Sequence, residues 1–257
     1  MITEADQEVR FQRLRRYNFG MGLLHLAQAV VVLVLANDFT LPVTADYLAG
    51  PPGSEPPPPT LLFDSPIALW VAAFLMLSAL AHFVLVLPGV FGWYVANLKR
   101  DRNYARWFEY SVSSSIMIVL IAQLTGLSDI VALLAIFAVN ATMILFGLLQ
   151  EHYHSPGDGH WLPFWLGCLA GAVPWVGIAI YALAPGTDTP VATPTFVIFI
   201  FISLFVLFNS FAVNMYLQYR QVGRWRDYIY GESVYVLLSL VAKSLLAWQI
   251  FGSTLAG

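Results

Sequence analysis

Seven long apolar runs divide this chain, and they constrain its fold more than any other feature of the sequence. Each run is close to the ~20 residues that a helix needs to cross ~30 Å of hydrocarbon. Only helices or closed barrels satisfy their backbone groups in lipid, and these runs lack the alternation of barrel strands. We therefore predict an all-α membrane protein, a single seven-helix domain over residues 1–257. The predicted spans are 17–36, 65–87, 104–124, 128–150, 161–184, 193–218 and 232–255.

The composition excludes an ordinary soluble domain. Apolar residues make up 59% of the chain and charged residues 11%, whereas about 25% of a typical globular domain is charged. We expect membrane lipid around the protein and no nucleic-acid partner. The single cysteine, Cys168, excludes an internal disulfide and a cysteine-rich metal site. Its place in an apolar run predicts a small, buried packing residue.

The basic residues predict the orientation. Apart from one lysine in the last span, they fall into three groups that an even number of crossings separates, so all lie on one side of the membrane. By the positive-inside rule that side is cytoplasmic. We expect a multi-pass protein of the cell membrane with its N-terminus inside and its C-terminus outside. The groups are Arg10, Arg13, Arg15 and Arg16; Lys99, Arg100, Arg102 and Arg106; and Arg220, Arg224 and Arg226.

The longest connection, Asn37 to Asp64, is then extracellular. Its prolines disfavour a helix, and its apolar residues predict a short hairpin over the bundle. In the fifth span, Gly167 and Gly171 form a small-residue motif that permits close helix contact. This motif is typical of packing within the bundle or of a dimer face.

Lys243 lies near the middle of the last span, which reads from Ser233 to Leu255. A charged side chain at that depth costs about 2.5–3.5 kcal/mol even on the most lenient insertion scales. A lysine at mid-span cannot place its ammonium group at an interface by extending its side chain. A buried ionisable residue of this kind indicates a functional site with an anionic partner elsewhere in the chain.

Glu109 in the third span is the candidate partner. Arg106 and Ser113 lie three and four residues away on the same helical face, and Ser239 lies one turn before Lys243. Glu109 and Lys243 both lie in the cytoplasmic half of the bundle or at its middle. An ion pair of Glu109 with Arg106 at the interface is the alternative.

Two histidines add polar groups to the same half of the bundle. His25 lies in the first span and His82 near the inner end of the second. They either form a polar cluster on the inner side of Lys243 or are satisfied packing residues. The sequence shows no pair of metal ligands at helical spacing and no nucleophile motif, so we expect neither a metal site nor catalytic residues, and no enzyme.

These residues and four longer segments resemble the heliorhodopsin family of retinal-binding proteins. The resemblance runs over almost the whole chain, and the predicted inside N-terminus agrees with that family's inverted orientation. The segments are ANDFTLP entering the Gly-Pro-Pro-Gly loop, WFEYSVSSSIMIVLIAQ, DIVALLAIFAVNATMILFG and LSLVAKSLLAWQIF.

The resemblance implies all-trans retinal joined to Lys243 as a protonated Schiff base, with Glu109 as its counterion. It further implies that Ser239 and Ser113 tune the hydrogen bonds near that base. His25 and His82 would belong to the cytoplasmic polar cluster that receives the proton. The implied pocket residues are Met143, Ile144, Gly147, Trp165 and Phe208. Family members are commonly dimers, and an unidentified cytoplasmic transducer is expected.

The predicted function is therefore light sensing without net ion transport. A light-driven pump is the alternative. Familiar outward pumps place one acid eleven residues after the counterion and another four before the lysine. Here those positions are Leu120 and Ser239, which cannot donate a proton as a carboxylic acid does. A haem protein that uses His25 and His82 as axial ligands is a further alternative, but it leaves Lys243 and Glu109 unexplained.

Overall fold

The computed structural model describes residues 4–183 and 192–256, which form eight α-helices and one β-hairpin. Seven of these helices are long and apolar enough to cross a membrane, as predicted. The last residue of the predicted fifth span, residue 184, lies outside the described residues. The elements are α1 (Glu4–Leu35), β1 (Thr40–Ala45), β2 (Thr60–Pro66), α2 (Ile67–Val86), α3 (Val90–Leu98), α4 (Tyr104–Leu124), α5 (Ile130–Tyr153), α6 (Leu162–Leu183), α7 (Thr195–Tyr219) and α8 (Tyr228–Ile250).

Two features of the helices differ from the prediction. The first helix begins at Glu4, well before the apolar run, because its arginine-bearing turns are helical too. Arg10 of this extension forms an ion pair with Asp227, and Arg15 donates to the carbonyl of Val86. A short helix, α3, also lies between the second and third spans. We call the end of the bundle that carries Arg10, Arg15 and α3 the basic end.

The opposite end carries the predicted hairpin, which the structure confirms. Strands β1 and β2 pair antiparallel, with a register shift between Val43 and Thr44. The amide and hydroxyl of Thr44 bond to Ser128 just before α5, at 2.8 and 3.0 Å. The C-terminal π-helical turn, Phe251–Leu255, contacts the end of α1 through the Asn37 amide. The hairpin is therefore anchored to the bundle.

Helix α4 is the most buried of the spanning helices, and it contacts α2, α5, α6 and α7. The short connection to α5 makes these two helices neighbours, as expected. Ser114 and Ser115 bond back to carbonyls of their own helix and also accept from Asn140 of α5. These bonds satisfy polar groups in the middle of the bundle, where lipid could not.

Glycines set the distance between α5 and its two neighbours. A Cβ at Gly167 would lie 3.2 Å from the Phe146 side chain and 3.3 Å from the Met143 carbonyl. Gly171 faces the Met143 side chain, and Gly147 faces the indole of Trp107 on α4. The interpretation of the Gly167 and Gly171 motif as packing within the bundle is therefore confirmed.

The contact at Gly147 predicts a stability effect. We expect Gly147→Ala to destabilise the protein by about 1–3 kcal/mol, because its methyl group would overlap the Trp107 ring and force that ring to move. Gly177→Ala is the matched control, since a Cβ there meets no atom within 4 Å. Thermal unfolding in detergent measures both variants. Equal midpoints for the two would contradict the close packing at Gly147.

Candidate functional site

Lys243 lies on α8 with 2% of its surface exposed. Its Nζ donates to Glu109 Oε1 on α4 at 2.9 Å and to Ser239 Oγ, one turn earlier on α8, at 3.0 Å. The ring of Tyr110 lies 5.0 Å from the same nitrogen. The buried cation thus has an anion, a hydroxyl and an aromatic face around it, which offset the cost of removing it from water.

Glu109 has a second buried partner that the sequence analysis missed. The hydroxyl of Ser78, on α2, donates to the same Oε1 at 2.6 Å. Ser78 lies one turn before His82 on the same face of its helix. That spacing was a usable signal, because it places a small polar residue beside a residue already singled out.

Arg106 does not pair with Glu109, so that alternative is wrong. Its guanidinium instead forms ion pairs with Glu151 of α5 and Glu232 of α8. The rings of Trp107 and Tyr235 lie 4.5 and 4.0 Å from it. Sharing a helical face with Glu109 did not decide the partner, because Arg106 lies nearly one turn closer to the basic end, where these carboxylates converge.

The two histidines, His25 of α1 and His82 of α2, lie against each other. Their rings are nearly parallel, with centroids 5.7 Å apart. His82 Nδ1 bonds to the side-chain oxygen of Asn18 on α1 at 2.8 Å. His25 is fully buried, and neither of its ring nitrogens has a hydrogen-bond partner among the described residues. The pair therefore offers ring nitrogens that can take up a proton.

A cavity of about 290 Å³ opens on the other side of Lys243, between α4, α5, α6, α7 and α8. Lys243, Ser239 and Ser113 are among the polar residues that line it. Ser113 is fully buried and, unlike Ser114 and Ser115, makes no bond to a carbonyl of its own helix. Four of the five predicted pocket residues line the cavity: Met143, Ile144, Gly147 and Phe208.

Aromatic rings packed against one another line part of this cavity. The indole of Trp175 lies 5.4 Å from the ring of Phe208 and 5.3 Å from that of Phe205, both nearly perpendicular to it. Most of the remaining lining is apolar. The cavity is thus a largely apolar space with one amine at its wall.

The fifth predicted pocket residue, Trp165, does not line the cavity. It is 57% exposed on the outer face of α6, and its neighbour Phe164 lines the cavity instead. Adjacent residues of a helix point about 100° apart, so only one of the two can face inward. Cys168 also differs from the prediction, because it is exposed and lies at the cavity rather than in the core.

The comparisons with known proteins agree with this geometry. The sequence model of the heliorhodopsin family matches residues 14–255. The chain belongs to the heliorhodopsin family. A solved structure of similar fold is cyanorhodopsin from the cyanobacterium Tolypothrix, with a TM-score of 0.64, 12% identity and 94% of each chain covered. No curated protein matches.

Heliorhodopsins are retinal proteins, so the family implies a retinal chromophore and a photoreceptor-type function for this multi-pass membrane protein. The residues present fit that group. Lys243 supplies a buried primary amine at the wall of an apolar cavity, and Glu109 supplies an anion 2.9 Å from it. A long apolar polyene suits the lining, because its burial there removes apolar surface from water.

Proposed function

We propose that this heliorhodopsin senses light through all-trans retinal bound to Lys243 as a protonated Schiff base, without net ion pumping. The observation that carries the proposal is the buried Lys243 amine, which contacts both the apolar cavity and the Glu109 carboxylate. The test is a visible absorption band that appears on addition of all-trans retinal and depends on Lys243.

When bound, retinal supplies visible absorption and a change of shape on illumination. The protein's own residues stabilise the positive charge at the Lys243 nitrogen and the negative charge that balances it. Glu109 keeps a positive nitrogen at Lys243 balanced, and Ser78 holds the Glu109 carboxylate through a 2.6 Å bond. Ser239 and Ser113 supply hydroxyls near the nitrogen, and their strength as hydrogen-bond partners tunes its protonation.

The histidine pair is the proposed acceptor for a proton that leaves the Lys243 site. A small cavity of about 30 Å³ contacts Glu109 and His82 together. His25 stacks against His82 and has ring nitrogens without a partner among the described residues. Transfer to this side and return to Lys243 moves no net charge across the membrane.

The proposed absence of net transport rests on the two positions where familiar outward pumps carry acids. Leu120 is almost fully buried and apolar, and Ser239 bonds to Lys243 itself. Leu120 lies toward the hairpin end of α4 and Ser239 toward the basic end of α8, and neither can relay a proton as a carboxylic acid does. We expect illuminated cells that contain the pigment to show no pH change in the medium that a protonophore abolishes. An outward pump expressed at a similar level is the positive control, and a protonophore-sensitive change in this protein would favour the alternative of a pump.

Three further parts of the proposal rest on the charge pattern and the family resemblance. The basic end faces the cytoplasm by the positive-inside rule, which places the hairpin outside. The protein forms a homodimer, as family members commonly do. A cytoplasmic transducer reads the illuminated state at the loops of the basic end.

Haem binding by His25 and His82 is not supported. The cavity beside His82 holds about 30 Å³, and the large cavity contacts neither histidine. Cofactor sites of drug-like size occupy about 300–1,000 Å³, so a porphyrin does not fit between these two rings.

A further inference from the structure

A second buried ionic group, which the proposed function does not use, lies at the basic end. Arg106 of α4, Glu151 of α5 and Glu232 of α8 meet there, and we call them the Arg106 cluster. Their exposed fractions are 6%, 3% and 0%. Such burial means that each charge must be balanced within the protein, because water does not reach it.

The charges of the cluster do not balance if both acids are ionised. Within the described part of the chain, Arg106 is the ion-pair partner of both Glu151 and Glu232. Two carboxylates on one guanidinium leave one buried negative charge without a cation. Like charges that share a site are relieved when one carboxyl keeps its proton. One proton on the two acids would make the cluster neutral.

Glu151 has the fuller set of donors, because four of them occupy its two oxygens. Oε2 accepts from the Asn103 amide at 2.8 Å and from the Trp107 indole at 2.5 Å. Oε1 accepts from Arg106 at 2.5 Å and from the Tyr228 hydroxyl at 2.6 Å. Three of these donors have no lone pair with which to accept a proton in return. A carboxylate can accept hydrogen bonds from all four donors, whereas the hydrogen of a protonated acid would point at a donor in place of one of these bonds.

Glu232 has fewer donors and lies at a cavity. Asn103 donates to its Oε2 at 2.6 Å, and Arg106 contacts its Oε1. The residue also lines the small cavity that contacts Glu109, His82 and Tyr110. An acidic hydrogen on Glu232 thus has space and polar neighbours on the cavity side, which Glu151 lacks.

We propose that Glu232 is a protonated carboxylic acid at neutral pH and forms a buried proton-holding site between the Lys243 cavity and the basic end. This step rests on the proposed function: Glu232 also blocks the passage of a proton from Glu109 to the basic end. A proton that arrives from Glu109 meets an acid already occupied, with the positive Arg106 beyond it. The histidine pair is then the group on this side that can take up the proton.

The groups around Glu232 come from five helices and from the residue before α4. They are Asn103 just before α4; Arg106, Glu109 and Tyr110 of α4; Glu151 of α5 through Arg106; Tyr235 of α8; and Tyr94 of α3 and His82 of α2 across the cavity. Arg106 is the only cation among them apart from a protonated histidine, so no other lysine or arginine of this set neutralises a second carboxylate.

Infrared spectroscopy of the full chain tests the proposal in the dark. Protonated carboxyls have a carbonyl stretch that is separate from that of carboxylates and shifts in D₂O. We expect wild type at neutral pH to show such a band that moves on ¹³C-glutamate labelling. Absence of any labelled band in wild type overturns the proposal without the need for a variant.

Variants then assign the band. We expect Glu232→Gln to remove it and to shift the thermal midpoint by less than about 3 °C, because the amide replaces a neutral acid. We expect Glu151→Gln to remove the same band as well, because Glu232 would then ionise to pair with Arg106, and to lower the midpoint clearly. A band that survives Glu232→Gln, or the reverse order of stability, overturns the assignment.

Asp158→Asn is the control for loss of an acid that is ionised. Slight burial raises the pKa of Asp158, but the backbone amides of His160 and Ser155 outweigh this and lower it. Its replacement should leave the band unchanged. The measurement needs no chromophore and is made with and without retinal. Loss of the band in colourless Glu232→Gln protein would support this site even if Lys243 bound no retinal.

Discussion

Lys243→Ala is expected to abolish the visible absorption that the protein gains with all-trans retinal. A Schiff base forms from an aldehyde and a primary amine, and Lys243 is the lysine that contacts the cavity. Loss of the cation also leaves the Glu109 carboxylate buried beside Ser78 without its partner. Breaking a buried pair in this way costs about 3–5 kcal/mol, so the variant should also unfold at a lower temperature.

Lys243→Arg separates the covalent role from the charge. A guanidinium keeps a cation opposite Glu109 but does not form the imine, so we expect a more stable protein than Lys243→Ala that is equally colourless. Absorption spectra of purified protein after reconstitution measure colour, and thermal unfolding measures stability. A visible band in either variant would contradict attachment at Lys243 and move the chromophore elsewhere.

Glu109→Gln is expected to have the second largest effect. The amide keeps the shape of the side chain but removes the anion 2.9 Å from the Lys243 nitrogen. A positive nitrogen there then lacks its balancing charge, at a cost of about 3–5 kcal/mol, or roughly a hundredfold or more in affinity for its proton. Spectra at neutral pH should show either loss of the visible band to the near ultraviolet or a large shift of its maximum.

Glu109→Asp is the matched control, because it retains the negative charge and shortens the arm by one methylene group. We expect it to keep a visible band at neutral pH, with a smaller shift than Glu109→Gln produces. If both variants had the wild-type spectrum, the counterion would be another group, and the close Glu109–Lys243 contact would be only a packing feature.

Lys243 and Glu109 could be predicted as a pair from the sequence, because burying either charge in lipid alone is energetically costly. A lysine in the middle of an apolar run and a glutamate in another run stand out, since lipid tolerates neither without a partner. Ser78 and Asn18 were missed because neutral polar residues are common in such helices, where their side chains form hydrogen bonds to carbonyls of their own helix. Asn18 in fact bonds both to the Leu14 carbonyl and to His82.

The Arg106 cluster shows a different limit. Glu151 and Glu232 lie near the predicted ends of their spans, where acids are ordinary and water normally reaches them. Their burial depends on α4, α5 and α8 meeting at the basic end, with Tyr228 and Trp107 packed around the carboxylates. No spacing along one helix encodes that convergence.

By itself, the sequence determined that seven apolar helices form and that Lys243 and Glu109, which lie within two of them, need partners. These follow from the length of the apolar runs and from the energetic cost of charge in hydrocarbon. The tertiary structure alone decided that Arg106 pairs with Glu151 and Glu232, and that Phe164 rather than Trp165 faces the cavity. The helical period relates residues of one helix to each other, but the rotation of each helix and its neighbours are set by packing between side chains.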